Sequence, residues 1–237
     1  MEAVIPAAGK GIRMQDITAG TSKEALVIGG RTILDRVIDE VFESGVSRAV
    51  VVISRDKPDL EQIVSRRSEP VDLKYQSEPI GLMDAILASG VVEDCLVALP
   101  DTIFSTPPCS TFSPRCRFKD SAVCVQKVTD EDVNKYGMVE IGSDGIHAKK
   151  FIEKPSVAQT SSRYAIAARY FFTDRVLRFL RELQSFERGQ DVPLTEAFND
   201  AIQRNMQILA HQLSSEVIRF DCGSVDGYRA ALEHFGK

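Results

Sequence analysis

The chain opens with a short apolar segment that runs directly into a loop rich in glycine and basic residues. Residues 3–8 read Ala-Val-Ile-Pro-Ala-Ala, a pattern typical of a buried strand in a parallel sheet. Gly9-Lys10-Gly11 follow, and Lys23 lies in the same connection. Glycines allow backbone N–H groups to approach an anion closely, and lysines add positive charge. The segment therefore predicts a phosphate-binding site, most simply for a nucleoside triphosphate, at the carboxyl end of the first strand.

Two common glycine-loop motifs do not match this loop. A P-loop has four residues between its glycines and then Gly-Lys-Ser/Thr, which the chain lacks here. A dinucleotide-binding loop has a third glycine at the position of Met14, so a nicotinamide-dependent oxidoreductase is disfavoured. Because a Gly-x-Gly pair also occurs in ordinary strand-to-helix turns, the loop needs support from the rest of the chain.

Strand and helix patterns alternate over the first hundred residues. Strand patterns cover 3–8, 49–53, 72–76 and 95–100, and helical patterns cover 33–42, 58–66 and 82–88. This alternation predicts a parallel sheet with helices on both faces, whose ligands bind outside the carboxyl ends of the strands. Asp101 directly follows the fourth strand, so we expect it at the same edge as Gly9.

The second half of the chain changes to strands joined by short turns. Strands are predicted at 121–127, 137–141, 147–152, 164–172, 206–212 and 216–220, and helices at 174–185, 193–204 and 225–235. We expect a mixed sheet in which this β-rich insertion closes over the ligand site. Residues 105–118 show little periodicity and are predicted to form an exposed loop.

Composition narrows the class of partner. The net charge of −5 lacks the basic surplus of a nucleic-acid binder, and no apolar run approaches the ~20 residues of a membrane span. The five cysteines show no Cys-x-x-Cys spacing, which disfavours a zinc site or a disulfide framework and suits a reducing cytoplasm. We expect no signal peptide, because the N-terminus enters a strand without a basic segment before it.

Several short segments, in this order, resemble the sugar-1-phosphate nucleotidyltransferases, also called nucleotide-sugar pyrophosphorylases. They are the opening loop through Lys23, Gly81-Leu82, Pro100-Asp101, Tyr136-Gly137, Phe151-Ile152-Glu153-Lys154-Pro155 and Asp221-Cys222-Gly223. The resemblance runs from residue 3 to about residue 233, and within the family the chain is similar to bacterial uridylyltransferases. It implies an α/β, Rossmann-like fold with a mixed, mostly parallel sheet in a single domain over 1–237. The nucleotide-binding part would cover about 1–104, and the sugar-binding part about 119–237.

The resemblance implies transfer of a nucleotidyl group from a nucleoside triphosphate, with UTP favoured, to a sugar-1-phosphate, with glucose-1-phosphate favoured. Pyrophosphate would leave as the sugar-phosphate oxygen attacks the α-phosphorus. Mg²⁺ is the implied cofactor, with Asp101 and Asp221 as its ligands. The implied catalytic residues are Arg13, Lys23 and Lys154; the nucleotide-binding residues are Ala7, Gly9, Gly11, Arg13, Gln76 and Gly81; and the sugar-phosphate-binding residues are Gly137, Glu153 and Lys154.

Other interpretations stay open at this point. One is transfer from dTTP or CTP to another phosphorylated sugar or alcohol, and another is a sensor that binds a sugar nucleotide without reacting. Aspartates at strand ends are also often simple turn or cap residues. Ile12 stands where the family usually has Thr or Ser, and Ala168 where glycine is common, so its methyl could narrow the sugar pocket. A homo-oligomer is left open.

Overall fold

The computed structural model describes residues 1–11, 14–78, 80–112, 120–186 and 190–236. Their strands are β1 (Glu2–Pro6), β2 (Val27–Ile28), β3 (Arg31–Thr32), β4 (Arg48–Ile53), β5 (Val71–Tyr75), β6 (Cys95–Ala98), β7 (Thr102–Phe104), β8 (Ser121–Lys127), β9 (Met138–Ile141), β10 (Ala148–Ile152), β11 (Tyr164–Phe172), β12 (Ile208–Gln212) and β13 (Arg219–Asp221). Their α-helices are α1 (Gln15–Thr18), α2 (Ile33–Glu43), α3 (Pro58–Ser65), α4 (Leu82–Ala88), α5 (Asp174–Phe186), α6 (Leu194–Gln203) and α7 (Val225–Phe235).

Four parallel strands form the N-terminal part of the main sheet, in the order β5-β4-β1-β6. Alternate side chains of these strands enter two separate apolar cores. One core contains residues of α2, α3 and α7, and the other contains residues of α4, α5 and α6. The helices therefore cover both faces of the sheet, as the strand and helix alternation predicts.

Helix α2 shows why these helices form where the sequence predicts them. Thr32 caps its N-terminus by accepting a hydrogen bond from the backbone N–H of Asp35 at 3.0 Å. Its apolar residues Leu34, Val37, Ile38 and Val41 recur at helical spacing and are fully buried in the core.

Strand β11 joins the parallel part to the β-rich part. It runs antiparallel to β6, to β8 and to β9, and β8 in turn pairs with β12 in parallel. The β9–β10 hairpin turns back to β12, because Ala210 donates a backbone hydrogen bond to Ile146 at 2.8 Å. His147 also forms an isolated bridge with Leu209. The turn before β10 therefore lies against β12, while β10 itself remains an edge strand of the main sheet.

The outer edge of β10 is covered by a side chain instead of a strand. Asn199 on α6 accepts a hydrogen bond from the Phe151 N–H and donates one to the Phe151 carbonyl, both at 2.8 Å. The side-chain amide satisfies the same two groups that a neighbouring strand would satisfy. This contact holds α6 against the hairpin.

The strands and helices that the sequence predicts are confirmed, with ends displaced by a few residues at most. The prediction of an exposed loop at 105–118 is confirmed only in part within its described residues, because Thr106, Pro107, Ser110 and Thr111 are exposed whereas Pro108 and Cys109 are buried. Pro108–Phe112 form a 3-10 helix in which Cys109 is buried, and its N–H donates to Glu40 Oε1 at 3.2 Å. No helix in the described ranges is long and apolar enough to cross a membrane.

Candidate active site

Two adjoining cavities open where β1, β4, β5 and β6 reach their carboxyl ends. The glycine-loop pocket, of about 400 Å³, is lined by residues that include Gly9, Lys10, Lys23, Gln76, Gly81 and Asp101. The hairpin pocket, of about 360 Å³, is lined by residues that include Asp101, Gly137, Glu153, Lys154, Thr195, Arg219 and Asp221. Both volumes suit small-molecule ligands, and Asp101 belongs to both walls.

Lys23 is held at the boundary between the two pockets. It begins the 3-10 turn Lys23–Ala25, and its Nζ lies 2.5 Å from Asp101 Oδ2. Gly11 has φ +62°, and a Cβ at that position would lie 3.6 Å from Cγ of Lys23. The glycine loop therefore passes directly beside the aliphatic part of this lysine.

A buried ion pair anchors the turn that carries Lys23. Glu24 is 1 % exposed, and its Oε2 lies 3.1 Å from Nζ of Lys57, which also donates to the Ala7 carbonyl at 2.7 Å. Burial raises the pKa of Glu24, while the charges of Lys57 and Lys23 oppose that rise. The pair links the loop after β1, the Lys23 turn and the segment after β4.

The two aspartates of the predicted metal site are brought together by a ladder between β7 and β13. Asp221 pairs with Thr102, the first residue of β7, in this antiparallel ladder, and Asp101 directly precedes Thr102 in the chain. Gly223 N–H donates to Asp221 Oδ1 at 3.0 Å, which orients the carboxylate. Both aspartates line the hairpin pocket.

Cys222 lies beside this pair and is fully buried. Burial, reinforced by the carboxylates of Asp101 and Asp221, raises the pKa of its thiol to about 12. The thiol is therefore held in its protonated form near neutral pH.

The hairpin pocket collects the residues predicted to bind a sugar phosphate. A Cβ at Gly137 would lie 3.0 Å from atoms of Ile166 and Thr195 and 3.4 Å from Glu153 Oε2, so glycine keeps this wall open. Thr195 Oγ1 donates to Glu153 Oε2 at 3.1 Å. Lys154 has an exposed side chain, with its Nζ 3.7 Å from Glu153 Oε1.

Ala168 lies in the wall of the same pocket with a left-handed backbone. Its φ is +56°, at the point where the pairing of β11 with β8 shifts register between Ile166 and Tyr170. Glycine adopts this conformation without steric cost, whereas alanine does not. Alanine at this position, where the family usually has glycine, is therefore strained, and it adds a methyl group to the pocket.

Gln76 is nearly completely buried and has a fixed amide orientation. Its Nε2 donates to Asp84 Oδ2 at 2.7 Å and to the Gly81 carbonyl at 3.2 Å. Both partners are acceptors, so the amide nitrogen must face them. Gly81 has φ +141°, and a Cβ there would lie only 1.8 Å from Asp191 Oδ1.

Not every predicted residue reaches the pockets. Ala7 is fully buried, with its N–H bonded to the Val52 carbonyl at 2.6 Å and its carbonyl bonded to Lys57, so it does not line either pocket. Gly11 lines a third cavity, of about 560 Å³, together with Lys10 and Lys23. Arg13 lies outside the described residues.

Arg219 lines the hairpin pocket and was not predicted from the sequence. Its NH1 donates to the Ile166 carbonyl at 2.8 Å, and its guanidinium lies 3.9 Å from the centroid of the Tyr136 ring. Arg219 and Asp221 occupy alternate positions of β13 and therefore share a face. This two-residue spacing is the signal that could have revealed the arginine.

The comparison with protein families decides the class of this site. A model described as "Nucleotidyl transferase" matches residues 2–236. The chain belongs to the nucleotidyl transferase family. The resemblance that the sequence motifs carry is thereby confirmed, and so is the prediction of an enzyme of the nucleotidyltransferase class.

Individual members of the family match over nearly the whole chain. A UTP–glucose-1-phosphate uridylyltransferase from Haemophilus ducreyi is 28 % identical over 280 residues, covering 99 % of this chain and 92 % of the relative. The Bacillus subtilis enzyme of that name is 29 % identical over 262 residues, covering 96 % and 88 %. A crystal structure of UDP-glucose pyrophosphorylase complexed with UDP-glucose is 26 % identical with a TM-score of 0.86, covering 99 % and 98 %. The predicted fold class is thus confirmed.

Proposed function

We propose that this member of the family transfers a uridylyl group from UTP to glucose-1-phosphate, giving UDP-glucose and pyrophosphate. The observation that carries the proposal is the position of Asp101 in the walls of both pockets, with Lys23 bound to it and with Asp221 beside it in the wall of the hairpin pocket. A nucleotide in the glycine-loop pocket and a sugar phosphate in the hairpin pocket would meet beside these carboxylates. The names of the relatives that match nearly the whole chain support the same reaction.

The chemistry requires two polyanions to come together. An oxygen of the sugar phosphate attacks the α-phosphorus of UTP while the bond from that phosphorus to the bridging oxygen breaks, and pyrophosphate leaves. Positioning and neutralisation of charge account for most of the catalysis in such reactions. Lys23 would stabilise the charge that builds at the α-phosphate, and Lys154 would hold the phosphate of the sugar. Arg13 is proposed to bind the β- and γ-phosphates, to which its guanidinium fork is suited.

The donor set at the junction suits Mg²⁺. This cation is usually bound by one or two carboxylates together with substrate phosphates, and Asp101 and Asp221 supply two carboxylates. In the described part of the chain, no group of three or more acidic, histidine or cysteine residues forms an alternative site. Bound by the two aspartates, Mg²⁺ would neutralise charge on the phosphates.

The orientation of Gln76 favours uracil over cytosine. Because its NH₂ group is occupied by Asp84 and Gly81, the amide can offer a base only its carbonyl oxygen, which accepts. Uracil and thymine carry a donor at N3, whereas cytosine carries an acceptor there and could donate to this oxygen only with its exocyclic amino group. The contact therefore supports UTP or dTTP as the nucleotide, bound with N3 of the base facing Gln76.

Pyrophosphate release tests the proposal. Glucose-1-phosphate and Mg²⁺ would be offered with UTP, dTTP, CTP, ATP and GTP separately, and we expect release with UTP that EDTA abolishes and excess Mg²⁺ restores. Faster release with dTTP or CTP would assign the chain to a different nucleotide. Tight binding of UDP-glucose by calorimetry, without release from any nucleotide, would identify a sensor and contradict the proposal.

A further inference from the structure

A fully buried arginine donates hydrogen bonds to the backbone on both sides of Asp101. Arg169 on β11 is 0 % exposed, and its Nε and NH2 bind the two carboxylate oxygens of Glu40 at 2.9 and 2.6 Å. Its NH1 donates to the Leu99 carbonyl at 3.1 Å, and its NH2 donates to the Thr102 carbonyl at 2.8 Å. These two carbonyls lie on either side of Pro100 and Asp101.

The remaining contacts make this arrangement complete. NH1 also donates to the Ala168 carbonyl at 3.0 Å, so all five N–H groups of the guanidinium have an acceptor. The same Ala168 carbonyl accepts the Leu99 N–H at 3.1 Å. Glu40 in turn accepts the Cys109 N–H. Residues 99–102, which include Asp101, are therefore held by hydrogen bonds to residues 168 and 169 of β11.

Stability alone does not explain a charge pair at this depth. Moving two charges out of water costs free energy that their attraction barely returns, and apolar residues of similar volume often stabilise a fold as well or better. What an apolar pair could not supply is the pair of hydrogen bonds to the carbonyls that flank Asp101. A lysine has three N–H groups on one nitrogen, so it would have to reach Glu40 and both carbonyls from a single point, whereas the guanidinium reaches them from three separate nitrogens.

We propose that Arg169, held by Glu40, is a positioning residue that fixes the Asp101 carboxylate at the junction of the two pockets. It touches neither pocket. It acts through the backbone of residues 99–102. That backbone sets the position of the Asp101 carboxylate, which must lie next to Asp221 and Lys23. The inference deepens the proposed function and rests on it for its catalytic meaning, while its structural part concerns the chain alone.

The test compares the natural chain with two variants and a matched control. Arg169→Met combined with Glu40→Gln removes both buried charges together and keeps an acceptor for Cys109. Arg169→Lys keeps the charge and loses the two-sided grip. The control is Arg67→Met. Arg67 also binds two carboxylates of α2, those of Asp35 and Asp39, but its side-chain hydrogen bonds do not reach residues 99–102.

The first readout is hydrogen exchange of the peptide covering residues 99–105 in the ligand-free chain. We expect about tenfold faster exchange there in both Arg169 variants, and no change in Arg67→Met at a matched loss of Tm. Unchanged exchange in the folded Arg169 variants would overturn the inference. Because no substrate is present, this result stands even if the natural chain releases no pyrophosphate, which would contradict only the proposed function.

The second readout is the division between kcat and KM. A misplacement of about 1 Å at a reacting centre costs about a hundredfold in rate, so kcat should fall by about that factor in both Arg169 variants. The KM for UTP should stay within about threefold, because Gln76 and the glycine loop are untouched. An equal fall in kcat for Arg67→Met at the same Tm would show that the effect is only structural and would overturn the inference.

Discussion

Lys23 of the glycine-loop pocket and Lys154 of the hairpin pocket are held in opposite ways. In the glycine-loop pocket, Lys23 has 13 % of its side chain exposed and is tied to Asp101, and the neighbouring Lys57 is buried against Glu24. In the hairpin pocket, Lys154 has 60 % of its side chain exposed and lies 3.7 Å from its nearest carboxylate partner, Glu153. Lys23 is therefore held in place before a ligand arrives, while Lys154 can adjust its position to a ligand.

This difference has an energetic meaning for binding. A fixed charge loses little side-chain entropy when it meets a phosphate, whereas an exposed lysine must be ordered at a cost of about 0.5–1.5 kcal/mol. A rigid site also favours interactions that are strongest in the transition state. We therefore expect substitutions around Lys23 to change mainly turnover, and substitutions around Lys154 to change mainly the affinity for the sugar phosphate.

The largest effect should come from Asp101, which belongs to both pockets. Asp101→Asn is expected to lower kcat by about a hundredfold or more, because a neutral amide holds Mg²⁺ far less well. Tm should change little, since the side chain is partly exposed. Steady-state kinetics would be compared with Asp226→Asn, which removes the same charge from the exposed start of α7. Activity equal to that control would remove Asp101 from the metal site.

Lys23→Ala and Lys154→Ala test the contrast between the pockets directly. Lys23→Ala should lower kcat by about a hundredfold and leave the KM for glucose-1-phosphate within about threefold. Lys154→Ala should instead raise that KM by about tenfold or more, the value of a charged hydrogen bond. Lys150→Ala, an exposed lysine of β10, serves as the control. If both variants lost only sugar-phosphate affinity, the contrast would be broken.

Asp84→Asn tests how rigidly the glycine-loop pocket holds Gln76. Asparagine could also donate to Gln76, so of the two acceptors that fix the Gln76 amide only the Gly81 carbonyl would remain, and its bond at 3.2 Å is the longer of the two. We expect the ratio of kcat/KM for CTP to that for UTP to rise by about tenfold. Competition assays with both nucleotides would measure it. A ratio unchanged from the natural chain would show that Gln76 does not select the base.

Ala168→Gly should give the smallest effect on stability. Relief of the left-handed alanine gains about 1–2 kcal/mol, while the freer unfolded chain costs about 0.4–1 and the lost buried methyl about 0.8 kcal/mol. These contributions nearly cancel, so Tm should stay close to that of the natural chain. Because the methyl group lies in the wall of the hairpin pocket, its loss should raise kcat/KM for bulkier sugar phosphates.

Ala165→Gly on the same strand is the matched control for this substitution. Ala165 is fully buried with an ordinary backbone, so glycine there relieves no strain and should destabilise the fold by about 1–2 kcal/mol. Thermal melts of the two variants would decide the point. Equal losses of Tm would show that Ala168 carries no strain.

The sequence predicted the elements that repeat a clear pattern. Helix α2 and strands β1 and β4 have apolar residues at regular spacing, and each forms where expected. Strand β7 has only three residues and was not predicted, and it pairs with the predicted strand β13 across more than a hundred residues of chain. The ladder that brings Asp101 near Asp221 could therefore not be derived from either segment alone.

Buried charges were the other feature that the sequence did not reveal. Glu40 lies in α2 and Arg169 in β11, and charged residues at such positions are usually solvated. Their burial depends on the packing of α2 against β6 and β7 and on the 3-10 helix at Cys109. Only the assembled fold brings these groups together, and this is why the segment around Cys109 was expected to be exposed.

The amide of Asn199 has a consequence for how copies of this chain behave at high concentration. A strand edge with unpaired N–H and C=O groups is a template on which another chain can add a strand and begin to aggregate. Asn199 binds the N–H and the carbonyl of Phe151, so these groups of the β10 edge cannot pair with another chain. On the opposite edge of the sheet, β5 alternates the charged residues Asp72 and Lys74 with apolar ones. Asn199→Ala should therefore leave the fold in place but shorten the time to fibrillar or amorphous aggregation on mild heating.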